Sequence, residues 1–112
     1  MTLTIAGPEG LNTIIEKSGR YYIIRKHLIT LFSDTENPPS AAESLAILAI
    51  GHGSVSRRHL QLDISNHIIL TDLNSKYGSF LDGNRFEQTE LNEARMYRLQ
   101  LGNLVLNVFY EK

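Results

Sequence analysis

Short apolar segments separated by turn residues are the feature that most restricts the fold of this chain. These segments are rich in Ile, Leu, Val, Tyr and Phe and are bounded by Gly, Asn, Asp or Ser. They cover residues 2–5, 21–24, 46–50, 59–64, 67–71, 79–81 and 104–110. Segments of this kind are typical of β-strands, and no helical period extends beyond two turns. The pattern predicts an all-β fold, an antiparallel sandwich or barrel.

Two of the connections between these segments are predicted to be tight hairpin turns. Residues 59–64 (HLQLDI) alternate polar and apolar side chains, as expected for a strand with one buried face. Ser65 and Asn66 would then turn the chain directly into the segment that begins at His67. Asp82 and Gly83 form a second signal, because a type I′ turn needs positive φ angles, which Gly adopts at little cost.

Composition and charge exclude several classes of protein. The chain has 112 residues and no cysteine, so disulfides and cysteine-zinc sites are excluded. Eleven Lys and Arg against twelve Asp and Glu argue against nucleic-acid binding through a basic face. The longest apolar run, residues 45–50, is too short to span a membrane, and the first ten residues lack signal-peptide features. We therefore expect an intracellular protein with no direct nucleic-acid or membrane contact.

One polar segment departs from the rhythm of short strands. Residues 33–44 (SDTENPPSAAES) combine small, acidic and proline residues, which is loop composition. The sequence shows neither an internal repeat nor a domain linker. We expect a single domain over residues 1–112, with a polar loop insertion at about residues 27–45.

The segment 53–59 (GSVSRRH), at the entrance to a predicted strand, contains groups suited to binding a phosphate monoester. A phosphate needs convergent hydrogen-bond donors and at least one cation. Ser56 supplies a hydroxyl, Arg57 supplies a charge, and successive backbone N–H groups in a turn form an anion-binding concavity. The segment therefore indicates a candidate phosphate site.

This segment and two other stretches of the chain together resemble the forkhead-associated (FHA) family. That family has an Arg after an early strand, then S-x-x-H, then a D-L-x-S-x-N-G-T-type segment. The matching stretches here are Arg25, residues 56–59 (SRRH) and residues 72–80 (DLNSKYGSF), followed by 81–84 (LDGN) and a closing Leu101–Gly102. The resemblance implies an antiparallel β-sandwich of FHA type, with two twisted sheets and binding loops at one end. It also implies binding of phosphothreonine peptides, with no catalysis, no cofactor and no metal.

The resemblance also implies a role for each site residue. Arg25 would pair with the phosphate, Ser56 would donate its hydroxyl, and Arg57 would donate its backbone N–H. Lys76 would add a donor from the opposite loop. Tyr77 stands where the family usually places an Asn that bonds the peptide backbone.

Three further residues would support the site rather than contact the ligand. His59 would brace the loop through hydrogen bonds of its ring. Gly78 would provide the backbone conformation of the turn, and Ser79 stands where the family usually has Thr.

The identity of the phosphate-binding arginine stays open between two positions. The family usually has Gly before this Arg, whereas Ile24 precedes Arg25 here. A literal Gly19–Arg20 pair lies upstream. We favour Arg25, because it follows the apolar strand 21–24 whereas Arg20 precedes it.

Two functions from different classes stay open, with a third less favoured. The first is a phosphothreonine-dependent interaction module. The second is an FHA-like fold that has lost phosphate binding and serves as a phosphate-independent interaction or dimerisation domain, which the missing Gly, Tyr77 and the insertion would explain. The third is a hydrolase with a Ser56–His59–Asp72 triad, which is disfavoured because the sequence has no nucleophile elbow.

A narrower resemblance concerns the cellular context. Within the family, Arg25–Lys26 and residues 75–78 (SKYG) are most similar to FHA domains of DNA-repair proteins. That similarity implies a domain of a larger protein or complex, acting in DNA-damage or cell-cycle signalling in the nucleus.

Overall fold

Two β-sheets contain the strands of this protein in a computed structural model that describes residues 1–25, 47–50, 53–56 and 58–112. In chain order the strands are β1 (Thr2–Ala6), β2 (Asn12–Ile15), β3 (Gly19–Arg25), β4 (Ile47–Ile50), β5 (Arg58–Ile64), β6 (Ile68–Asp72), β7 (Ser79–Leu81), β8 (Asn84–Phe86), β9 (Gln88–Glu90), β10 (Met96–Leu101) and β11 (Leu104–Glu111). A short 3₁₀ turn, Pro8–Gly10, lies between β1 and β2. The expected insertion at 27–45 and Arg57 lie outside the described residues.

The strand order within each sheet confirms the predicted β-sandwich. One sheet has the order β2-β1-β11-β10-β7-β8 and the other β4-β3-β5-β6-β9. Neighbouring strands are antiparallel, except that β3 and β4 pair in parallel. A parallel pair needs a long connection, and residues 26–46 separate these two strands in the sequence. The second sheet is therefore mixed at its β4 edge.

Alternating side chains place one face of each sheet in a shared core. Strand β11 alternates buried and more exposed residues along most of its length, with Leu104, Leu106, Val108 and Tyr110 inward. Strand β5 buries Leu60, Leu62 and Ile64 from the other sheet in the same cluster. Each such side chain contributes roughly 1.5–3 kcal/mol on burial. The core between the sheets thus fixes the position of the loops at both ends.

The predicted strands are confirmed, with ends that shift by one or two residues, although Ala46 lies outside the described residues. Four strands that the sequence analysis did not predict are β2, β8, β9 and β10. Three of these have only three or four residues and carry mostly polar or exposed side chains, so they lack an apolar run. Strand β10 (MYRLQL) does alternate, burying Tyr97, Leu99 and Leu101, and this period of two would have revealed it.

The hairpin turn predicted at Asp82–Gly83 is confirmed, whereas the turn predicted at Ser65–Asn66 has the wrong length. Asp82 (φ 49) and Gly83 (φ 87) both have the positive φ that a type I′ turn requires. The connection after β5 has three residues rather than two, because Ile64 pairs with Ile68 and His67 stays in the turn. The backbone N–H of Ser65 donates to the His67 carbonyl at 2.9 Å and closes this turn.

The turn between β10 and β11 approaches another loop so closely that only Gly fits. Gly102 has φ +61, and a Cβ there would lie 2.5 Å from Ser54 Cβ and 2.6 Å from the Ser54 carbonyl oxygen. The neighbouring backbone N–H of Asn103 donates to Ser54 Oγ at 2.8 Å. This contact attaches the β10–β11 turn to the loop that enters β5.

We expect Gly102→Ala to destabilise the fold by about 2–5 kcal/mol, from left-handed backbone strain together with overpacking. Gly83→Ala is the matched control, because Gly83 also has positive φ (+87) but has no atom within 4 Å of the Cβ position. It should lose only the strain component, about 1–2 kcal/mol. Urea unfolding of both variants measures the difference, and equal losses would show that the Ser54 contact is unimportant.

Candidate functional site

Three chain segments meet at one end of the sandwich, and Ser56 lies at their junction. The backbone N–H of Arg25, at the end of β3, donates to the Ser56 carbonyl at 3.1 Å. The backbone N–H of Lys76, in the β6–β7 loop, donates to Ser56 Oγ at 2.9 Å. Residues predicted from three separate stretches of sequence are thus brought together.

The His59 side chain stabilises this junction through hydrogen bonds and is fully buried, with 0% exposure. Its Nδ1 accepts the Ser56 backbone N–H at 3.0 Å, so this nitrogen carries no proton. The other ring nitrogen, Nε2, must then carry the proton, and it donates to the Gly78 carbonyl at 3.0 Å. Burial lowers the pKa of His59 from its ordinary value, which favours this neutral form.

The Gly78 carbonyl joins a third segment to the same centre. Besides the His59 ring, this oxygen accepts the backbone N–H of Gly102 at 2.9 Å. Gly78 has φ +88, the left-handed conformation that other residues adopt only with strain. The β5 entrance, the β6–β7 loop and the β10–β11 turn therefore share one acceptor.

Asp72 fixes the shape of the β6–β7 loop. Its Oδ1 accepts the hydroxyls of Ser75 (2.6 Å) and Ser79 (2.5 Å), and its Oδ2 accepts the Ser75 backbone N–H at 3.0 Å. The Ser75 hydroxyl oxygen accepts the Gly78 N–H in turn at 3.0 Å. Burial alone would raise the pKa of Asp72, but these hydrogen bonds outweigh it and lower the pKa.

The remaining predicted residues lie on the surface around this buried network. Arg25, Lys76 and Tyr77 are exposed, and Tyr77 is 52% accessible. Lys76 Nζ lies 5.3 Å from the centre of the Tyr77 ring, within the range of a cation–π contact. Arg57 lies outside the described residues. The side chains of Arg25, Lys76 and Tyr77 are thus exposed to solvent next to the buried hydrogen-bond network.

Arg20 occupies a different part of the sheet. It pairs across the strands with Asp63, and its Nε lies 2.9 Å from Asp63 Oδ1. It is five residues from Arg25 along β3, which corresponds to about 17 Å. The strand register therefore brings the backbone of Arg25, and not that of Arg20, next to Ser56.

The geometry does not suit the hydrolase triad. The Ser56 contact with His59 is made by the backbone N–H and not by the hydroxyl. Asp72 Oδ1 lies 3.8 Å from His59 Nε2, while that nitrogen bonds the Gly78 carbonyl at 3.0 Å. Both ring nitrogens are occupied by backbone groups, so neither can take the proton of Ser56.

Sequence reasoning gave no supporting role to Asp72, Ser75, Ser54 or Gly102. The D-x-x-S spacing of Asp72 and Ser75 is a recognisable signal for a side chain that bonds the backbone of its own turn. The contact of Ser54 with Gly102 had no such signal, because it joins loops far apart in the sequence.

A groove beside the β6–β7 loop contrasts with this surface. It has a volume of about 590 Å³ and is lined by Asp72 and Glu87 as well as Arg85. Two carboxyl groups beside one guanidinium make a poor environment for a phosphate. None of the predicted phosphopeptide-binding residues lines it.

Within the described part of the chain, no group of three or more His, Cys, Asp or Glu side chains is arranged to hold a metal ion. No helix among these residues is long and apolar enough to cross a membrane.

Comparison with known proteins identifies the family. The FHA domain model matches residues 43–105, more than half of the chain, and the chain therefore belongs to the FHA domain family. FHA domains are interaction modules. A comparison with curated proteins finds no significant match.

Solved structures show the same fold at low identity. One, from a structural and functional analysis of phosphothreonine-dependent FHA domain interactions, has a TM-score of 0.72 and 18% identity and covers 100% of this chain and 99% of that chain. The FHA domain of CT664 from Chlamydia trachomatis gives 0.70 and 17%, covering 99% and 97%. The S. pombe Nbs1 FHA/BRCT-repeat domain gives 0.69 and 17%, covering 97% of this chain and 35% of that chain.

The buried neutral His59 predicts a loss of stability in acid. Its pKa is lowered in the folded protein, so the unfolded chain takes up a proton at higher pH. The stability from His59 is complete above the ordinary value of 6.5 and is lost as the pH falls towards the lowered folded value. A second loss, from Asp72, should follow below its ordinary value of 3.8.

Thermal unfolding between pH 7.5 and 5 measures the first loss. In His59→Asn, the amide oxygen can accept the Ser56 N–H, but the shorter side chain cannot reach the Gly78 carbonyl, so the midpoint should be lower at pH 7.5. The decline over this range should nevertheless be smaller, because no imidazole at this position takes up a proton. His67→Gln is the control, because His67 is exposed and contacts Glu90 at the surface, and it should keep the decline. An unchanged midpoint for the unsubstituted protein between pH 7.5 and 5 would contradict the assignment of His59.

Proposed function

We propose that this domain binds phosphothreonine-containing segments of partner proteins and that binding depends on the phosphate. The observation that carries the proposal is the position of Ser56. Its carbonyl holds the end of β3 at Arg25, and its hydroxyl oxygen holds the loop at Lys76. The main chains of two cationic residues are therefore both hydrogen-bonded to Ser56, which itself carries a hydroxyl.

The bonding of Ser56 leaves its hydroxyl proton suited to a phosphate oxygen. A hydroxyl has one donor and two acceptor positions, and the Lys76 N–H occupies an acceptor position. The backbone N–H of Ser56 is bonded to His59 and holds the residue in place. A hydroxyl oriented in this way binds an anion with little loss of side-chain freedom, which favours affinity.

The charged groups then supply most of the phosphate recognition. Arg25 presents a planar guanidinium that matches two phosphate oxygens, and Lys76 adds a compact charge from the opposite loop. Arg57 would add its backbone N–H, as its place in the family motif implies. Tyr77 would contact the peptide beside the phosphate, in place of the Asn that is usual in the family.

The cellular role that we propose is DNA-damage or cell-cycle signalling in the nucleus. The segment 75–78 (SKYG) resembles nibrin, and the S. pombe Nbs1 FHA/BRCT-repeat domain has the same fold. The partner would be a phosphoprotein rather than nucleic acid or membrane. The domain would act as part of a larger protein or complex.

The central test compares one peptide in phosphothreonine, phosphoserine and unphosphorylated forms, selected from an oriented phosphopeptide library. We expect titration calorimetry to show binding of the phosphothreonine form, weaker binding of the phosphoserine form and none of the unphosphorylated form. Threonine is preferred because the loops at Ser56 and Lys76 would frame a small space for its methyl group. Equal affinity for the phosphorylated and unphosphorylated forms would favour the phosphate-independent interaction domain instead.

Three variants at two arginines test which cation contacts the phosphate. Arg25→Ala should weaken phosphopeptide binding at least tenfold, because a charge-assisted bidentate contact contributes roughly 1.5–3 kcal/mol. Arg25→Lys should recover part of the affinity, since an ammonium cannot reproduce the planar fork. Arg20→Ala is the control on the same strand and should change affinity only slightly, through a long-range effect that salt screens.

All three variants are measured with one peptide at two salt concentrations, after thermal unfolding has shown that each is folded. A loss of binding in Arg20→Ala but not in Arg25→Ala would assign the family's Gly-Arg pair to Gly19–Arg20. If neither Arg25→Ala nor Arg20→Ala weakens binding while the phosphate still binds, the charge must come from Arg57, Arg58 and Lys76.

A further inference from the structure

A row of exposed hydrophobic side chains crosses the outer face of the six-stranded sheet. Ile14 of β2 lies opposite Thr4 of β1, Thr4 lies opposite Phe109 of β11, and Phe109 lies opposite Met96 of β10. Ile14 is 58% exposed, Phe109 46% and Met96 53%. The described residues expose five large hydrophobic side chains, and three of them stand in this single row.

The neighbouring rows on this face are small, polar or charged. Towards the binding loops the next row contains Asn12, Ala6, Asn107 and Arg98, which are direct cross-strand partners. On the other side, Thr2 lies opposite Glu111. An apolar stripe with a polar rim is the composition of an interaction surface, and small neighbours let a second sheet approach to about 10 Å.

We propose that this face forms a symmetric dimer with a second copy of the chain. The apolar row is bounded by a cation, Arg98, on one side and an anion, Glu111, on the other. A two-fold axis along the row places each apolar residue against its own counterpart and exchanges the two sides. Arg98 of one copy then lies close to Glu111 of the other copy across the interface. The two residues are offset along the row by one strand spacing, about 4.8 Å, because Arg98 is on β10 and Glu111 is on β11.

The charges on both sides are available for this contact. Arg98 and Glu111 are exposed, and neither side chain forms an ion pair with another described residue. The surface is therefore self-complementary in both hydrophobicity and charge. A partner with a uniformly acidic or basic surface would fit only one side of the row.

The dimer would leave the phosphopeptide sites free. Strand β11 runs from Leu104, beside Gly102 and the binding loops, to Glu111 at the opposite end, and Phe109 lies near that far end. The two-fold axis makes the strands of the two copies antiparallel, so the two sets of binding loops point in opposite directions. Two phosphorylated segments on separate partner molecules could then be bound together. The dimer itself does not depend on the proposed phosphate binding.

Sedimentation velocity over increasing protein concentration tests the proposal. Four strands by five residues cover about 20 × 17 Å, which is small for a stable interface, so association should be weak and visible only at roughly 0.1–1 mM. Phe109→Ser should remain monomeric over this range. Tyr77→Ser is the matched control, because it removes an equally exposed aromatic residue outside the row and should leave the dimer unchanged.

Charge reversal gives a sharper test that does not alter the apolar row. Arg98→Glu and Glu111→Arg should each abolish association, since like charges would then meet across the axis. The combined Arg98→Glu, Glu111→Arg variant should restore it. A chain that stays monomeric at 1 mM, a double variant that fails to restore the dimer, or a dimer lost in Tyr77→Ser but kept in Phe109→Ser would each overturn the proposal.

Discussion

The carbonyl oxygen of Gly78 is the acceptor on which the binding end of the sandwich depends. It accepts one hydrogen bond from the buried His59 ring and another from the Gly102 backbone N–H. A carbonyl has two lone pairs, and both are used here to connect loops that are distant in the sequence. Loss of either donor would remove one of these two hydrogen bonds, at a net cost of roughly 0.5–1.5 kcal/mol. The position of Ser56 follows from this centre, because the same His59 ring accepts its N–H.

Polar groups of the network divide into buried atoms that fix shape and exposed atoms that carry charge. His59 and Ser79 are completely buried, and among the described residues no buried side-chain polar atom lacks a hydrogen bond. Arg25 and Lys76 are exposed and contact this network through their backbone N–H groups. Their side chains remain available to a ligand while their main chains are fixed. A site built in this way would be preorganised, which would reduce the ordering cost of the phosphopeptide binding that we propose.

The sequence predicted most of the strands that have an apolar period, but the alternation of β10 was overlooked. The sequence also indicated the motif residues that carry charge or form turns. It missed the short strands β2, β8 and β9, because they are held by cross-strand pairing that a local pattern does not record. It also left Arg20 and Arg25 both open, since each adjoins the same apolar segment. Pairing between β3 and β5 separates the two arginines, with Arg20 opposite Asp63 and Arg25 beside Ser56. Register is a property of two strands together, and no single segment contains it.

Folding stability explains the buried residues of the site but not the exposed cations. His59, Asp72 and Gly78 are explained by stability alone, because their atoms are satisfied within the fold. The same network would serve a domain that binds no phosphate. Arg25 and Lys76 have no such structural explanation, since an exposed cation contributes little to folding stability and an alanine there would keep the same backbone hydrogen bonds. We therefore propose that ligand binding accounts for these two exposed cations, whose backbone N–H groups both contact Ser56.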